Sequence, residues 1–261
     1  MTTPELQALL WDVDGTLAET ERDGHRVAFN RAFEAMGLPW RWDEARYGDL
    51  LRITGGRERL LADMAQRADA PGHSSERERL AGAVHALKNR HYAEIASTAL
   101  LPLRPGVRAL MNEAAAAGVR QAITTTTSRS NVDALLRVHL GVDWMRCFTA
   151  VVCGEDVRHK KPDPEVFVQA LRQMGLSPLQ ALALEDSPGG VSAARAAGVP
   201  VVVTRSVYFE HAPVEDAIAI GPGLDTRQGW QPVLRGAPGR VTLDDLIAWR
   251  IGFESISQFG S

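Results

Sequence analysis

Four clusters of residues in this sequence are of types and spacings that can do chemistry on a phosphate ester. The first is Asp12-Val13-Asp14-Gly15-Thr16-Leu17, directly after the apolar run Ala8-Leu9-Leu10-Trp11. Two carboxylates one residue apart can divide a displacement between them. Asp12 can attack phosphorus and form an aspartyl phosphate, and Asp14 can protonate the leaving alkoxide and later activate water. Gly15 permits the turn that aims both groups at one point. The second cluster is Thr124-Thr125-Thr126-Thr127-Ser128, where a hydroxyl and free backbone N–H groups can hold phosphoryl oxygens. Counting from Gly118, Thr125 is the expected phosphate ligand. The third is Lys160-Lys161-Pro162-Asp163-Pro164, in which an ammonium can neutralise charge on a transferring phosphoryl group. The fourth is Leu184-Glu185-Asp186-Ser187-Pro188-Gly189-Gly190, whose paired acids suit a hard cation such as Mg²⁺. Each cluster alone has a plainer reading: an N-terminal turn, a Thr-rich strand end, a solvated basic loop and an acidic helix N-cap, respectively.

The elements that must position these residues follow from hydrophobic patterning. Short apolar runs at Ala8–Trp11, Gln121–Thr125, Ala150–Cys153, Ala181–Leu184 and Val199–Val203 alternate with helical patterns. One such helix carries Val107, Leu110, Met111 and Ala114; another carries Val166, Phe167, Ala170, Leu171 and Met174. This rhythm predicts an α/β fold, a Rossmann-like parallel sheet with helices on both faces. All four clusters then fall at carboxyl ends of strands, where open parallel sheets take their ligands. Residues 19–101 break the rhythm. They hold no convincing strand, and Phe29, Ala32, Phe33 and Met36 share one helical face. A second stripe runs through Leu80, Val84, Leu87, His91 and Ile95. The expected organisation is a core domain of residues 1–18 and 102–261 with a helical cap domain, 19–101, inserted between the first two strands. Beyond an edge strand at Ala217–Ile220, residues 221–239 read as loop, and Thr242 with Asp245 reads as a helix start.

Bulk properties exclude several classes. The 261 residues are 45% hydrophobic and 23% charged, a globular balance, and the formal charge of −3 gives no electrostatic basis for nucleic-acid or anionic-membrane binding. Cys147 and Cys153 are too few for a disulfide framework and have no partners at metal-ligand spacing, which fits a reducing cytoplasm. The polar N-terminus and the short apolar runs predict neither a signal peptide nor a membrane span. The expected state is a cytoplasmic monomer acting on a small molecule.

The four clusters, in this order, resemble those of the haloacid dehalogenase-like hydrolase superfamily over nearly the whole chain, and the helical insertion is similar to that family's mobile cap. The resemblance implies a nucleophile at Asp12, an acid/base at Asp14, and phosphoryl contacts from Thr125 and Lys161. It further implies Mg²⁺ held by Asp12, the Asp14 backbone carbonyl and Asp186, with Glu185 alongside. The four-Thr run departs from the family's usual single Thr or Ser. A metal-free dehalogenase would have little use for Asp14 or for Glu185-Asp186, and a non-enzymatic protein would have little use for intact carboxylates and lysine. A sugar phosphomutase would use the same residues and stays open as an alternative, as does a phosphatase for another small phosphate ester.

The runs from Asp12 to Asn30, Gly37-Leu38-Pro39-Trp40-Arg41-Trp42, Thr54-Gly55-Gly56-Arg57-Glu58-Arg59 and Thr125-Thr126-Thr127-Ser128-Arg129-Ser130-Asn131 resemble the CbbY-like branch. That branch consists of sugar-phosphate phosphatases, some of which act on xylulose 1,5-bisphosphate. The implied substrate is a phosphorylated sugar. Glu19 and His25 are candidates to read its hydroxyls, and Gly56 and Thr126 to approach it closely. Arg57 is the candidate to clamp a second, non-reacting phosphate. Lys160 is expected to point to solvent, and Trp40 and Trp42 to pack inside the cap.

Overall fold

The computed structural model describes residues 5–234 and 236–259, with 253–259 as backbone only. Among the described residues, six strands form one parallel sheet in the order β3-β2-β1-β4-β5-β6. They are β1 Ala8–Trp11, β2 Arg120–Thr124, β3 Ala150–Val152, β4 Ala181–Glu185, β5 Val201–Thr204 and β6 Ala219–Gly221. The order reverses direction at β1, so the crevice beyond its carboxyl end is the topological switch point. In register, Trp11 lies level with Ile123 of β2 and Leu184 of β4. The next residues, Asp12, Thr124 and Glu185, therefore emerge side by side.

Both faces of the sheet are covered, which is why β1 and β4 read as unbroken apolar runs. Leu9 and Trp11 point into one buried cluster with Leu110, Leu135 and Leu182; Ala8 and Leu10 point into another with Phe167, Leu171 and Val201. The helices responsible are α5 Val107–Ala116, α6 Arg129–Leu140, α7 Glu165–Met174 and α8 Pro188–Ala196. At the C-terminus α9 Leu243–Phe259 begins with Thr242 and Asp245 exchanging side-chain and backbone hydrogen bonds, the reciprocal cap read from the sequence.

Between β1 and β2 the chain is helical: a π-turn at Glu21–His25, then α1 Arg26–Ala35, α2 Glu44–Leu50, α3 Gly56–Ala65 and α4 Ser74–Ser97. This segment has a separate apolar cluster that includes Phe29, Phe33, Trp40, Trp42, Tyr47 and Leu60. Trp42 is fully buried, edge-on to Phe33 and 4.7 Å from Phe29 between ring centroids. Its indole N–H donates to Asp63 at 2.9 Å, and Arg46 and Arg67 pair with the same buried carboxylate. Both tryptophans are packing residues, as expected. One stripe differs from the expectation. On α4 the buried residues are Ala81, Val84, Lys88, Tyr92, Ile95 and Ala96, whereas Leu80, Leu87 and His91 lie at the flank. The inward face is rotated so that a lysine, which periodicity of apolar residues does not register, sits at its centre.

Candidate active site

Asp12 leaves β1 with its backbone N–H on the Leu184 carbonyl, 3.0 Å away. Gly15 follows in the left-handed region at φ +84°, and a Cβ there would collide with the Asp186 carboxylate. Both the turn and the approach therefore require glycine. Lys161, 4% exposed, reaches across from the loop after β3. Its ammonium donates to Asp12 Oδ1 at 2.6 Å, to Glu185 Oε1 at 2.5 Å and to the Thr124 carbonyl at 2.8 Å. Glu185 turns its other oxygen back to accept from the backbone N–H groups of Asp186 and Ser187 and from the Ser187 hydroxyl. Ser206 Oγ donates to Asp186 Oδ2 at 2.5 Å.

Carboxylate oxygens of Asp12, Glu185 and Asp186 can lie within 4.8 Å of one another, all buried. Three carboxylates there face one ammonium, leaving two formal negative charges. Burial pushes the Asp12 carboxyl well up, against the opposing pull of Lys161, and Glu185 and Asp14 add to the rise. Burial and the neighbouring charges of Glu185 and Asp12 raise Asp186 likewise. Burial alone would lower the Lys161 ammonium, but Asp12 and Glu185 outweigh it and hold it above the usual lysine range.

Asp14 sits in a different environment. Burial works against its charge, but His25 and Thr20 more than offset this and hold the carboxyl well below the usual range. Thr20 Oγ1 donates to Asp14 Oδ1 at 2.5 Å, and His25 Nε2 lies 2.9 Å from the same oxygen. The other ring nitrogen of His25 is 2.8 Å from Lys88 Nζ, and the imidazole stacks on Tyr92 with centroids 4.2 Å apart. Burial lowers Lys88 to about 8 despite the favourable charges of Asp14 and Glu21. The two neighbouring carboxyls are thus pushed in opposite directions, Asp12 towards its protonated form and Asp14 towards its charged form.

Two adjoining cavities share Asp14, Glu21, Arg59 and Thr126 in their walls. The inner one, about 60 Å³, is lined by Asp12, Thr125, Lys161 and Asp186; the outer, about 120 Å³, by His25, Gly56, His85, Lys88, Asn131 and Lys160 among others. The structure brings Asp12, Asp14, Thr125, Lys161, Asp186, His25, Gly56 and Thr126 around this continuous space, with Glu185 directly behind Lys161.

Three expectations are corrected. Arg57 is half exposed, pairs with Glu78 on α4 and lines neither cavity; Arg59, largely buried and paired with Glu21, lines both. The two arginines are two residues apart on α3, about 200° around the helix axis, so only one can face inward. Glu19 turns away to Arg104 and the Val207 backbone N–H, and Glu21 takes the inward position. Lys160 lines the outer cavity, with its ammonium 2.7 Å from Glu58. Sequence reasoning missed Lys88, Arg59, Glu21 and His85. The signal for Lys88 was a polar residue at spacing four from Val84 on an otherwise apolar stripe.

The family profile described as haloacid dehalogenase-like hydrolase matches residues 6–198. The plasmid CbbY protein of Cupriavidus necator is 42% identical over 251 residues, 95% of this chain and 98% of the relative. A CBBY-like protein of Arabidopsis thaliana is 37% identical over 82% of this chain and 67% of the relative. The crystal structure of CbbY from Rhodobacter sphaeroides in complex with phosphate superposes with a TM-score of 0.75 at 38% identity, covering 81% of this chain and 92% of that one. A mutant of the same protein, crystallised with xylulose-(1,5)bisphosphate, superposes equally well. With the four clusters gathered at the sheet's switch point, these likenesses establish that the chain belongs to the haloacid dehalogenase-like hydrolases, as a CbbY-like phosphatase.

Proposed function

We propose that this chain is a Mg²⁺-dependent phosphatase that removes one phosphate from a sugar bisphosphate, xylulose 1,5-bisphosphate or a close relative, through an aspartyl phosphate on Asp12. The observation that carries the chemistry is the buried Asp12–Lys161–Glu185–Asp186 cluster opening into a cavity with further cations. The donor set fits the ion: all the ligands are hard oxygens, and the excess of two negative charges matches one divalent cation. Asp12, Asp186 and the Asp14 backbone carbonyl would hold Mg²⁺, with Glu185 alongside, and the ion would supply charge neutralisation to the phosphoryl group.

In the first step an Asp12 carboxylate oxygen bonds to phosphorus, the bond from phosphorus to the sugar oxygen breaks, and Asp14 gives that oxygen a proton. The incoming phosphoryl charge raises the proton affinity of Asp14, which His25 and Thr20 otherwise keep low. Lys161 holds the phosphoryl oxygens beside Asp12, with Thr125 opposite. In the second step Asp14 takes a proton from water, which attacks phosphorus and releases Asp12. Residues 19–101 act as a cap that excludes bulk water and supplies specificity through Arg59 and Lys88, in place of Arg57, with Lys160 of the core domain on the facing wall. The co-crystallised bisphosphate of the Rhodobacter protein supports this substrate class.

The test is a phosphate-release screen over sugar mono- and bisphosphates with Mg²⁺ present and after EDTA treatment. The proposal expects the highest kcat/KM for a pentulose bisphosphate and loss of activity with EDTA. Conversion of a sugar phosphate to its isomer without net phosphate release would assign the phosphomutase reading instead.

A further inference from the structure

Glu19 and the Leu103-Arg104-Pro105-Gly106 run are left outside the chemistry above, yet they meet. The chain leaves the sheet through Ala18 and returns through Leu103, and these two residues form an antiparallel bridge, the doorway to the helical insertion. Arg104 stands in the doorway. Its backbone N–H donates to the Leu17 carbonyl at 2.7 Å, and its side chain is only 10% exposed. The guanidinium is fully engaged. One terminal nitrogen reaches the Gly15 carbonyl, the Thr204 carbonyl at 3.0 Å and the Thr204 hydroxyl at 3.1 Å. The other reaches the carbonyls of Arg205 at 2.6 Å and Pro222 at 3.0 Å, while Nε faces Glu19 at 3.5 Å. One side chain thus joins the turn after Asp14, the ends of β5 and β6, and the first strand of the doorway.

The next residue in that loop gives the arrangement a consequence. Ser206 holds Asp186 through its hydroxyl, and its Cβ lies 3.1 Å from where a Cβ on Gly15 would be. Gly15, Ser206 and Asp186 are therefore packed against one another with no slack, and Arg104 ties the backbones on either side.

We propose that Arg104 is a positioning residue, which fixes the Gly15 turn against the 204–206 loop so that Ser206 orients Asp186 for the metal. The inference rests on the Mg²⁺-phosphatase reading. A hydrogen-bonded partner of a ligating carboxylate is worth about 10–100-fold in metal affinity when removed. Lysine cannot replace the fork, because its ammonium has three donors at one point and cannot span four carbonyls.

The sign of the effect separates positioning from simple electrostatics. Removing a cation near a metal site should strengthen Mg²⁺ binding if charge is all that matters; loss of positioning should weaken it. The experiment is calorimetric titration of the substrate-free chain with MgCl₂ for the parent, Arg104→Ala, Arg104→Lys and Ser206→Ala, with circular dichroism as a check on folding. The expected result is affinity lowered about tenfold or more in Ser206→Ala and several-fold in both Arg104 variants. Unchanged or tighter binding in Arg104→Ala overturns the proposal. If that variant does not fold, unchanged binding in Ser206→Ala overturns it. A parent chain that binds no Mg²⁺ overturns the metal reading itself and takes this inference with it.

Discussion

The carboxyl end of the sheet and the inner wall of the helical insertion place charged groups by different means. At the sheet, backbone register does the placing: Asp12, Thr124 and Glu185 are neighbours because Trp11, Ile123 and Leu184 are paired. Each group then has short, buried, multiple partners, as Lys161 has with Asp12, Glu185 and Thr124. In the insertion, helix phase does the placing. Arg59 rather than Arg57, and Lys88 rather than Leu87, faces the cavity because of where α3 and α4 sit in their turns. Groups fixed by register suit chemistry that must be identical for every substrate. Groups fixed by phase can be exchanged by small changes in packing, which suits recognition.

The comparison breaks most visibly if the sheet cluster can be damaged without loss of turnover. Asp12→Asn should reduce phosphate release by about 10⁴-fold or more, with far-UV circular dichroism unchanged, and single-turnover assays should show no phosphorylated enzyme. Retention of activity within tenfold would remove Asp12 as nucleophile.

Next in size is the contrast between the two adjacent lysines. Lys161→Ala should lower kcat by about 10²–10³-fold, since it leaves Asp12 and Glu185 facing one another unscreened. Lys160→Ala should cost less than about tenfold, because it loses one partly exposed pair with Glu58. Steady-state kinetics on one substrate decides this, and equal losses would mean that the two positions are not distinguished as the structure places them.

Smaller again, and confined to the insertion, is the contrast between the two arginines. Arg59→Ala should cut the preference for a bisphosphate over p-nitrophenyl phosphate by about 10–100-fold, and Arg57→Ala by less than about twofold. The ratio of kcat/KM values for the two substrates is the readout. A larger effect at Arg57 would reverse the assignment of the inner face of α3.

The smallest effect concerns stability rather than rate. Burial, aided by the charges of Lys88 and Lys160, lowers His85 from the ordinary 6.5 to about 4. Between those two values the unfolded chain holds a proton at this position that the folded chain lacks, so stability rises as pH climbs through the window. His85→Gln should flatten the rise by on the order of 1–2 kcal/mol, allowing for solvent screening. Urea unfolding near the two ends of the window measures it; an unchanged slope would show that position 85 stays proton-accessible.

The likenesses to CbbY proteins concern a chain whose described residues include no helix long and apolar enough to cross a membrane. Cys153, buried beneath the second cluster, has its thiol pushed up to about 12 by burial and is a packing residue.

The amino-acid sequence by itself determined the parallel sheet, the helical character of residues 19–101 and the membership of the central cluster. Strand ends are legible because an apolar run stops where a carboxylate, a threonine or a glycine begins, and a parallel sheet delivers all such ends to one side. The capping pair Thr242 and Asp245 was legible for a similar reason, being a local exchange of hydrogen bonds three residues apart. Tertiary structure alone decided which polar residues of the insertion face the site. Glu19 and Glu21, or Arg57 and Arg59, have the same chemistry two residues apart, and only the docking of each helix selects one. Lys88 was hidden because the energy of burying an ammonium is partly offset by partners distant in sequence, His25, Asp14 and Glu21, which no local pattern reveals. Arg104 belongs with these: its partners span residues 15 to 222, and they come together only when the chain has closed its doorway and laid β5 and β6 beside β4.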